Sequence, residues 1–313
     1  MSLACGIDVG GTKIAGGVVD EHGTVVEELR VESPATDAHA IEAAIEQLVT
    51  ELRTRHPIEA VGVGAAGYID KSRAVVLFAA NLAWRDLDLK SDLEHRLGLP
   101  VVVENDANAA AWGEFQYGAG HDVDDLLLVT VGTGVGGGVV LDGSLYRGAF
   151  GVGAEIGHMR VVPDGLLCGC GNLGCFEMYA SGSALVRESR AAARSGSRLA
   201  ADLVARAGGD PEAITGPLVT EAAGEGDPFA IEQLASLGHW LGEGIASLTA
   251  VLDPAVVVIG GGVSAAGDLL VEPARAAFAA QLTGRGHRPM LEIRKARLGN
   301  HAGLIGAADL TRH

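Results

Sequence analysis

The sequence predicts an α/β fold of two halves that face each other across a cleft, and two observations support this prediction. The chain opens with a strand, a glycine turn and a returning strand, and the same pattern begins again at Asp125. Hydrophobic patterns with helical and strand spacing then alternate along the chain, as expected for mixed layers of sheet and helix. A repeated opening of this kind indicates a duplicated α/β domain.

The first half is predicted to begin with a β-hairpin. Two apolar, β-prone runs at 5–8 and 14–19 flank the turn Gly10-Gly11-Thr12-Lys13, which is a hairpin signal. Further strands are predicted at 24–31, 60–64, 74–78 and 101–104, and helices at 37–55, 91–97 and 107–116.

The second half is predicted to follow a glycine-rich boundary at Gly118–His121. We therefore expect a small domain at 1–118 and a large domain at 119–299 that carries the cysteine cluster described below. Strands are predicted at 126–131, 139–141, 255–259 and 291–296, and helices at 181–194, 228–252, 265–281 and 304–310.

Length and charge limit the classes of partner. The 313 residues suffice for two domains with their own cores. A net charge of −17 argues against nucleic acid or an anionic membrane surface as a partner. The start of the chain shows no basic region or cleavage site, and no apolar stretch is long enough to cross a bilayer. We therefore expect a cytoplasmic protein that binds neither nucleic acid nor membrane.

Three of the four cysteines lie within eight residues, at Cys168, Cys170 and Cys175, and His158 precedes the first of them by ten residues. Three thiolates and one imidazole at short spacing are typical of a closed, tetrahedral zinc site. A disulfide framework belongs to small secreted chains, and a bond between Cys168 and Cys170 would be strained. The sequence therefore predicts a structural Zn²⁺ with these four ligands, whereas Cys5 is expected to pack in the core.

Two carboxylates, Glu155 and Glu177, flank this cluster without belonging to the ligand set. They are free to hydrogen-bond another molecule, such as a polyol. The alternative interpretation is that both lie on a solvated loop.

A glycine turn between the first two strands has the composition of a phosphate site. Asp8 is followed by Gly10, Gly11, Thr12 and Lys13. Glycines allow successive backbone N–H groups to point into one concavity, which favours an anion. The ammonium group adds a positive charge, and the Asp8 carboxylate can hold Mg²⁺. The alternative is an ordinary hairpin.

Two further glycine turns occur in the second half, and the first of them lies at the place that matches the turn of the first half. One is Gly132-Thr133-Gly134, and the other is Gly260-Gly261-Gly262, between a strand and a helix. A nucleoside or a diphosphate often binds at such strand-to-helix turns. Together, the three turns predict a nucleotide site.

The segment Glu104-Asn105-Asp106 follows an apolar strand and precedes an alanine-rich helix. We expect these polar groups at the carboxyl end of the strand, facing the cleft. The residues alone leave two roles open for Asp106, a catalytic carboxylate or the cap of a helix that begins at Ala107.

These motifs occur in the order found in the ROK sugar kinases (repressor, open reading frame, kinase), which the chain resembles over nearly its whole length. More broadly, the first two turns resemble the actin-like ATPase superfamily, and residues 168–184 are most similar to the ATP-dependent bacterial glucokinases of the ROK family. The matching motifs are Asp8–Lys13, Glu104–Asn108, Gly132–Gly134, Glu155–His158, Cys168–Glu177 and Gly260–Gly262.

The resemblance implies two actin-like ATPase (ribonuclease-H-like) domains and ATP-dependent phosphorylation of glucose at the 6-hydroxyl. It identifies Asp106 as the general base, for which an ordinary pKa suffices because phosphoryl transfer is loose. It also implies that the final segment, 300–313, returns to the small domain. The sugar ligands that it implies are Gly67, Asn81, Asn105, Asp106, Glu155, His158 and Glu177.

The expected cofactors and partners are ATP, Mg²⁺, structural Zn²⁺ and glucose or a related hexose, with a homodimer or homotetramer implied by the resemblance. One alternative is a kinase for another hexose, such as N-acetylmannosamine or N-acetylglucosamine. Another is a non-enzymatic sugar-sensing regulator. Repression of transcription through direct DNA contact is not expected, because the phosphate hairpin begins at Asp8 and leaves no room for a preceding winged-helix domain.

Overall fold

The computed structural model describes residues 2–313 and confirms an α/β fold. The strands are β1 (Leu3–Val9), β2 (Lys13–Val19), β3 (Val25–Glu32), β4 (Ile58–Ala65), β5 (Tyr68–Ile69), β6 (Val76–Phe78), β7 (Arg85–Leu87), β8 (Val101–Asn105), β9 (Leu126–Val131), β10 (Val135–Leu141), β11 (Ser144–Tyr146), β12 (Val256–Gly260) and β13 (Glu292–Lys295). The α-helices are α1 (Ala38–Arg53), α2 (Leu89–Leu97), α3 (Asp106–Tyr117), α4 (Glu177–Ala180), α5 (Gly182–Arg194), α6 (Ala201–Arg206), α7 (Gly216–Gly224), α8 (Pro228–Leu252), α9 (Asp268–Gln281) and α10 (Ala302–Asp309).

Two five-stranded sheets share one strand order. The first has the order β3-β2-β1-β4-β8, and the second has the order β11-β10-β9-β12-β13. If the five strands of each sheet are numbered 1 to 5 along the chain, both sheets have the order 3-2-1-4-5. In the first sheet β1, β2 and β3 pair antiparallel, which confirms the predicted hairpin, whereas β4 and β8 run parallel to β1. The common order confirms the predicted duplication.

The chain divides into two compact units. Unit 1 contains the residues up to Leu128 together with Gly137–Ala154 and Arg297–His313. Unit 2 contains Val129–Gly136 and Glu155–Ala296. The domain limits predicted from the sequence, 1–118 and 119–299, stay a prediction.

In the first sheet of unit 1, the strands β1, β2 and β4 are largely buried on both faces. One face packs against the apolar side of α1, where Ile41, Ile45, Leu48 and Leu52 are buried at the predicted helical spacing. On the other face, Leu304 and other apolar residues of α10 pack against β1 and β2. This burial explains why the strands are rich in Val, Ile, Ala and Gly.

Glycines allow the backbone of α10 to lie in direct contact with the backbones of the first sheet and of α3. A Cβ atom on Gly62 of β4 would lie 1.8 Å from the carbonyl oxygen of Ala307, and one on Gly6 would lie 1.9 Å from that of Leu304. A Cβ atom on Gly306 would lie 1.7 Å from the carbonyl oxygen of Ala109. No side chain fits at these positions unless the backbones separate.

Replacing Gly62 by alanine is therefore expected to destabilise unit 1 by about 3 kcal/mol, since overpacking a rigid contact forces backbone shifts. Urea unfolding followed by circular dichroism measures this loss. The matched control is Gly224→Ala in α7, where an added Cβ meets no atom within 4 Å. Equal unfolding midpoints for the Gly62→Ala variant and the unmodified protein would contradict the close approach.

Some sequence predictions require correction. The helix predicted at 265–281 is a 3₁₀ turn, Gly262–Ala266, followed by α9. The two are separated by Gly267, whose φ of +60° does not continue a helix. The returning strand predicted at 139–141 begins earlier, at Val135. The short strands β5, β7 and β11 and the helices α4, α6 and α7 were not predicted. The three strands and α4 have only two to four residues, which is too short to show a clear period.

Among the helices of residues 2–313, none combines the length and the apolar character that a membrane span requires.

Candidate active site and metal cluster

The first glycine turn joins β1 to β2 in unit 1. Its ends are closed by a hydrogen bond of 3.0 Å from the Gly10 N–H to the Lys13 carbonyl oxygen. Asp8 is partly buried near the end of β1, whereas Lys13 is exposed at the start of β2. A Cβ atom on Gly11 would lie 3.3 Å from the Cβ of Asn81. The structure therefore brings Asn81, a predicted sugar ligand, beside the predicted phosphate turn.

Asp106 is the first residue of α3, directly after β8. The helix cap is Asn105, whose Oδ1 accepts a hydrogen bond of 3.0 Å from the Asn108 N–H. The interpretation of Asp106 as the cap is therefore wrong. The Nδ2 of Asn105 donates to the Gly67 carbonyl oxygen at 3.1 Å, which brings these two predicted sugar ligands together.

The electrostatic surroundings of Asp106 favour its protonated form. Burial is the main cause that raises the pKa of its carboxyl group to about 6, and the negative charge of Asp8 raises the pKa further. Backbone N–H groups of Ala107 and Asp106 itself act in the opposite direction. An ordinary pKa would suffice for a general base, but burial and the nearby Asp8 carboxylate raise the pKa of Asp106 above the ordinary value. A carboxylate with a pKa about 6 remains ionised at neutral pH and accepts a proton more readily than an ordinary Asp.

Burial and a negatively charged neighbour also change the pKa of Asp8. Burial raises the pKa of its carboxyl group, and the charge of Glu28 raises that pKa further. A cation at this place would relieve the repulsion between carboxylates and restore their ionised forms.

Glu104, which was expected with Asn105 and Asp106 at the strand end facing the cleft, has a buried side chain. Its side chain is 2% exposed and forms an ion pair with Arg147, whose Nε lies 2.6 Å from Oε2 of the carboxylate. A buried carboxylate requires a charged partner. Sequence reasoning could infer this need but not the partner, which lies 43 residues away.

The four predicted metal ligands lie together in unit 2. The ligand atoms of His158, Cys168, Cys170 and Cys175 are all within 4.8 Å of one another. The Sγ of Cys168 lies 3.7 Å from the Nδ1 of His158, and the two other sulfur atoms are 3.6 Å apart. Tetrahedral bonds of about 2.1–2.3 Å to zinc place ligand atoms roughly 3.5–3.8 Å from one another. The donor set and its spacing therefore fit Zn²⁺.

A short hairpin holds the cysteines. Leu167 and Leu173 form an antiparallel bridge, and the Cys168 N–H donates to the Asn172 carbonyl oxygen at 2.8 Å. Gly171, at φ +89°, makes the turn between them. His158 ends a 3₁₀ turn, Ile156–His158, that follows the exposed Glu155.

Glu177 lies between the cysteine cluster and the second glycine turn. Its Oε1 is 3.0 Å from the Sγ of Cys168 and 3.6 Å from the Nδ1 of His158. A Cβ atom on Gly134 would lie 2.5 Å from Oε2 of the same carboxylate. Glu177 thus belongs to a packed site and not to a solvated loop.

The two glycine turns of unit 2 are neighbours. Gly261 follows β12 at φ +81°, and a Cβ atom on it would lie 2.5 Å from the carbonyl oxygen of Val131, the residue before Gly132. The Gly182 N–H at the start of α5 donates to the Gly132 carbonyl oxygen at 2.8 Å. The two turns follow β9 and β12, which are neighbours in the second sheet. Glycine turns at the ends of neighbouring strands suit a phosphate-bearing ligand.

Known proteins are similar to this chain over nearly its whole length. The ROK family model matches residues 4–313. A glucokinase from Streptomyces coelicolor is 48% identical over 312 residues, which cover 100% of this chain and 98% of the relative. An N-acetylmannosamine kinase from Yersinia pseudotuberculosis is 33% identical over 310 residues, 98% of each chain.

A solved structure is similar over the same length. It is a ROK family glucokinase from Streptomyces griseus in complex with glucose and AMPPNP, with a TM-score of 0.93, 50% identity and 99% coverage of both chains. This similarity confirms the predicted actin-like ATPase fold class. The chain belongs to the ROK family, as its motifs predicted.

Proposed function

We propose that this chain is a hexose kinase that transfers the γ-phosphoryl group of ATP to the 6-hydroxyl of glucose, giving glucose 6-phosphate and ADP. The observation that carries the proposal is the carboxylate of Asp106, with a pKa raised to about 6, at the first residue of a capped helix. The full-length similarity to glucokinases, one of them complexed with glucose and AMPPNP, supports the choice of substrates.

Asp106 is the general base in this proposal. It accepts the proton of the 6-hydroxyl as that oxygen attacks the γ-phosphorus and the bond to the β–γ bridging oxygen breaks, leaving ADP. Because the transition state of phosphoryl transfer is loose, positioning and charge neutralisation supply most of the rate. Two phosphate-binding segments are proposed, each within one unit: the hairpin from Gly10 to Lys13 in unit 1, and the neighbouring turns Gly132–Gly134 and Gly260–Gly262 in unit 2.

Two groups of sugar ligands are proposed, each within one unit: Gly67, Asn81 and Asn105 in unit 1, and Glu155, His158 and Glu177 in unit 2. Hexose hydroxyls both donate and accept, so amide, imidazole and carboxylate groups are suitable partners. The proximity of Glu177 to Gly134 supports a sugar ligand beside the phosphate turn.

Two metal ions belong to the proposal. Asp8 would hold Mg²⁺, which neutralises phosphate charge. His158, Cys168, Cys170 and Cys175 would hold Zn²⁺ in a closed site that orients the surrounding loop and takes no part in the chemistry. His158 would use Nδ1 for the metal, which leaves Nε2 for a sugar hydroxyl.

The acid limb of the pH profile is expected to report Asp106. Only its ionised form accepts a proton, so kcat/KM for glucose should fall about tenfold per pH unit below a pKa about 6. Initial rates between pH 5 and pH 8 at saturating ATP measure this, with circular dichroism at each pH as the control for folding. A rate that stays constant down to pH 5 would contradict the assignment.

The substrate is tested with purified protein and ATP-Mg²⁺ against glucose, mannose, fructose, N-acetylglucosamine and N-acetylmannosamine, by following ADP release. We expect the highest kcat/KM with glucose. A higher kcat/KM with an N-acetyl sugar would favour the alternative function, a kinase for another hexose, which is the activity named for the Yersinia relative. If none of the five sugars leads to ADP release, a sugar-sensing regulator would be favoured.

Three further predictions from the sequence stay predictions. They are the cytoplasmic location, the homodimer or homotetramer, and the lack of nucleic-acid and membrane partners.

A further inference from the structure

The buried ion pair between Glu104 and Arg147 contacts the turn Asn105–Asn108, which carries Asp106. One oxygen of Glu104 accepts hydrogen bonds of 3.1 Å from the Asn105 N–H and of 3.1 Å from the Nδ2 of Asn108. The other oxygen accepts from the Nε of Arg147 at 2.6 Å. The carboxylate is therefore bonded at both oxygens, and it is almost fully excluded from solvent.

These bonds fix the backbone on both sides of Asp106. Asn105 precedes Asp106, and Asn108 lies two residues after it, in the first turn of α3. The cap bond from the Asn108 N–H to Oδ1 of Asn105 closes the same turn. A shift of Glu104 would therefore change the position of Asp106 without touching its carboxyl group.

Arg147 also anchors a second segment. Its carbonyl oxygen accepts a hydrogen bond of 3.0 Å from the Gly153 N–H, which closes a loop of seven residues. Two glycines at positive φ, Gly148 and Gly151, shape this loop. Glu155, a proposed sugar ligand, follows two residues after Gly153 in the sequence. Arg147 thus contacts Glu104 through its side chain and closes the loop 147–153 through its backbone.

Stability alone does not explain such a pair. A buried ion pair costs so much desolvation that apolar side chains of similar volume often replace it without loss. Its specific gain is geometric, since a paired and fully bonded carboxylate has one orientation.

We propose that Glu104 and Arg147 are positioning residues for phosphoryl transfer, which set the place of Asp106 through the Asn105–Asn108 turn. The proposal rests on the proposed function, in which Asp106 is the general base. Small displacements of a reacting group cost rate far more than binding, because a near-attack geometry is lost.

The test is a double-mutant cycle between Glu104→Gln and Asp106→Asn, with kcat and KM measured for glucose and ATP. In the unmodified protein, Glu104→Gln should lower kcat by about 10–100-fold and change either KM by less than about threefold. In the Asp106→Asn protein, the same substitution should lower kcat by less than about threefold, because the base that it positions is already absent. Arg147→Met should behave like Glu104→Gln.

A matched control exists in the same unit. Glu42 on α1 is 1% exposed and pairs with Arg96 on α2, with Nη2 3.0 Å from Oε2. Glu42→Gln therefore breaks a comparable buried pair and should leave kcat within about threefold of the unmodified protein, even where it lowers the unfolding temperature. If Glu104→Gln does not fold, the charge-neutral double variant Glu104→Gln/Arg147→Met takes its place in the cycle.

The positioning role would be overturned by an equal loss of kcat in both backgrounds, or by an equal loss in the Glu42→Gln control. An unchanged kcat in Glu104→Gln would overturn it as well. Failure of the proposed function would give different results. Either the Asp106→Asn variant would have the same kcat as the unmodified protein, or the unmodified protein would phosphorylate none of the sugars.

Discussion

Replacing Asp106 by asparagine is expected to lower kcat for glucose phosphorylation by about 10²–10⁴-fold, the usual contribution of a general base. The amide is nearly isosteric with the carboxyl group but accepts no proton at neutral pH, so KM should change little. Coupled measurement of ADP release gives kcat, and calorimetric titration with glucose gives the affinity. A variant that keeps near-normal turnover would show that another group accepts the proton.

The same substitution is expected to stabilise the protein at neutral pH. In the folded chain the pKa of Asp106 is about 6, above the value of about 3.9 in an unfolded chain. The folded state therefore binds the proton more tightly, and the stability that this supplies is complete below about pH 4 and is lost as the pH rises through about 6. At pH 7, ionised Asp106 costs up to about 3 kcal/mol, which asparagine removes.

Thermal unfolding of the ligand-free protein at pH 7 and at pH 4 tests this sign. Asp106→Asn should unfold at a higher temperature than the unmodified protein at pH 7, and the difference should shrink at pH 4. The matched control is Asp268→Asn, which changes an exposed aspartate at the first residue of α9. Lower stability of Asp106→Asn at pH 7 would contradict the raised pKa.

Replacing Cys170 by serine is expected to reduce bound zinc from about one ion per chain to nearly none, because a closed tetrahedral site needs all four ligands. Loss of the ion frees the segment that carries His158 and Glu177. We therefore expect KM for glucose to rise by about tenfold or more, as when groups that orient a site are removed.

Metal analysis by mass spectrometry and glucose titrations measure both effects. Cys5→Ala is the control, because Cys5 is buried in β1 and belongs to unit 1. It should leave the zinc content unchanged. Stoichiometric zinc in the Cys170→Ser protein would show that the ligand assignment is wrong.

The features that could be predicted from the sequence are those with local signals. The start of α8 follows from Asp227, whose side chain caps the helix, and from Pro228 at its first position. The opening hairpin follows from two glycines between β-prone runs. The cysteine cluster could be recognised because three of its ligands fall within eight residues.

The features that could not be predicted depend on residues far apart in the chain. The pairing of Glu104 with Arg147 and the contact of Gly62 with α10 arise only when the chain folds. The raised pKa of Asp106 has the same origin, since its main causes are burial and the charge of Asp8. Such non-local contacts determine how a recognisable motif works, although they leave no pattern within it.

The most direct test of the central claim is to identify the product. The purified protein, glucose and ATP-Mg²⁺ are incubated together, and the reaction is followed by ³¹P and ¹³C nuclear magnetic resonance, with a sample that lacks glucose beside it. The account predicts that ADP and glucose 6-phosphate appear in equal amounts, with phosphorus coupled to carbon 6, and that ATP persists without the sugar. Phosphate on another carbon, or ADP and free phosphate formed equally in both samples, would contradict it.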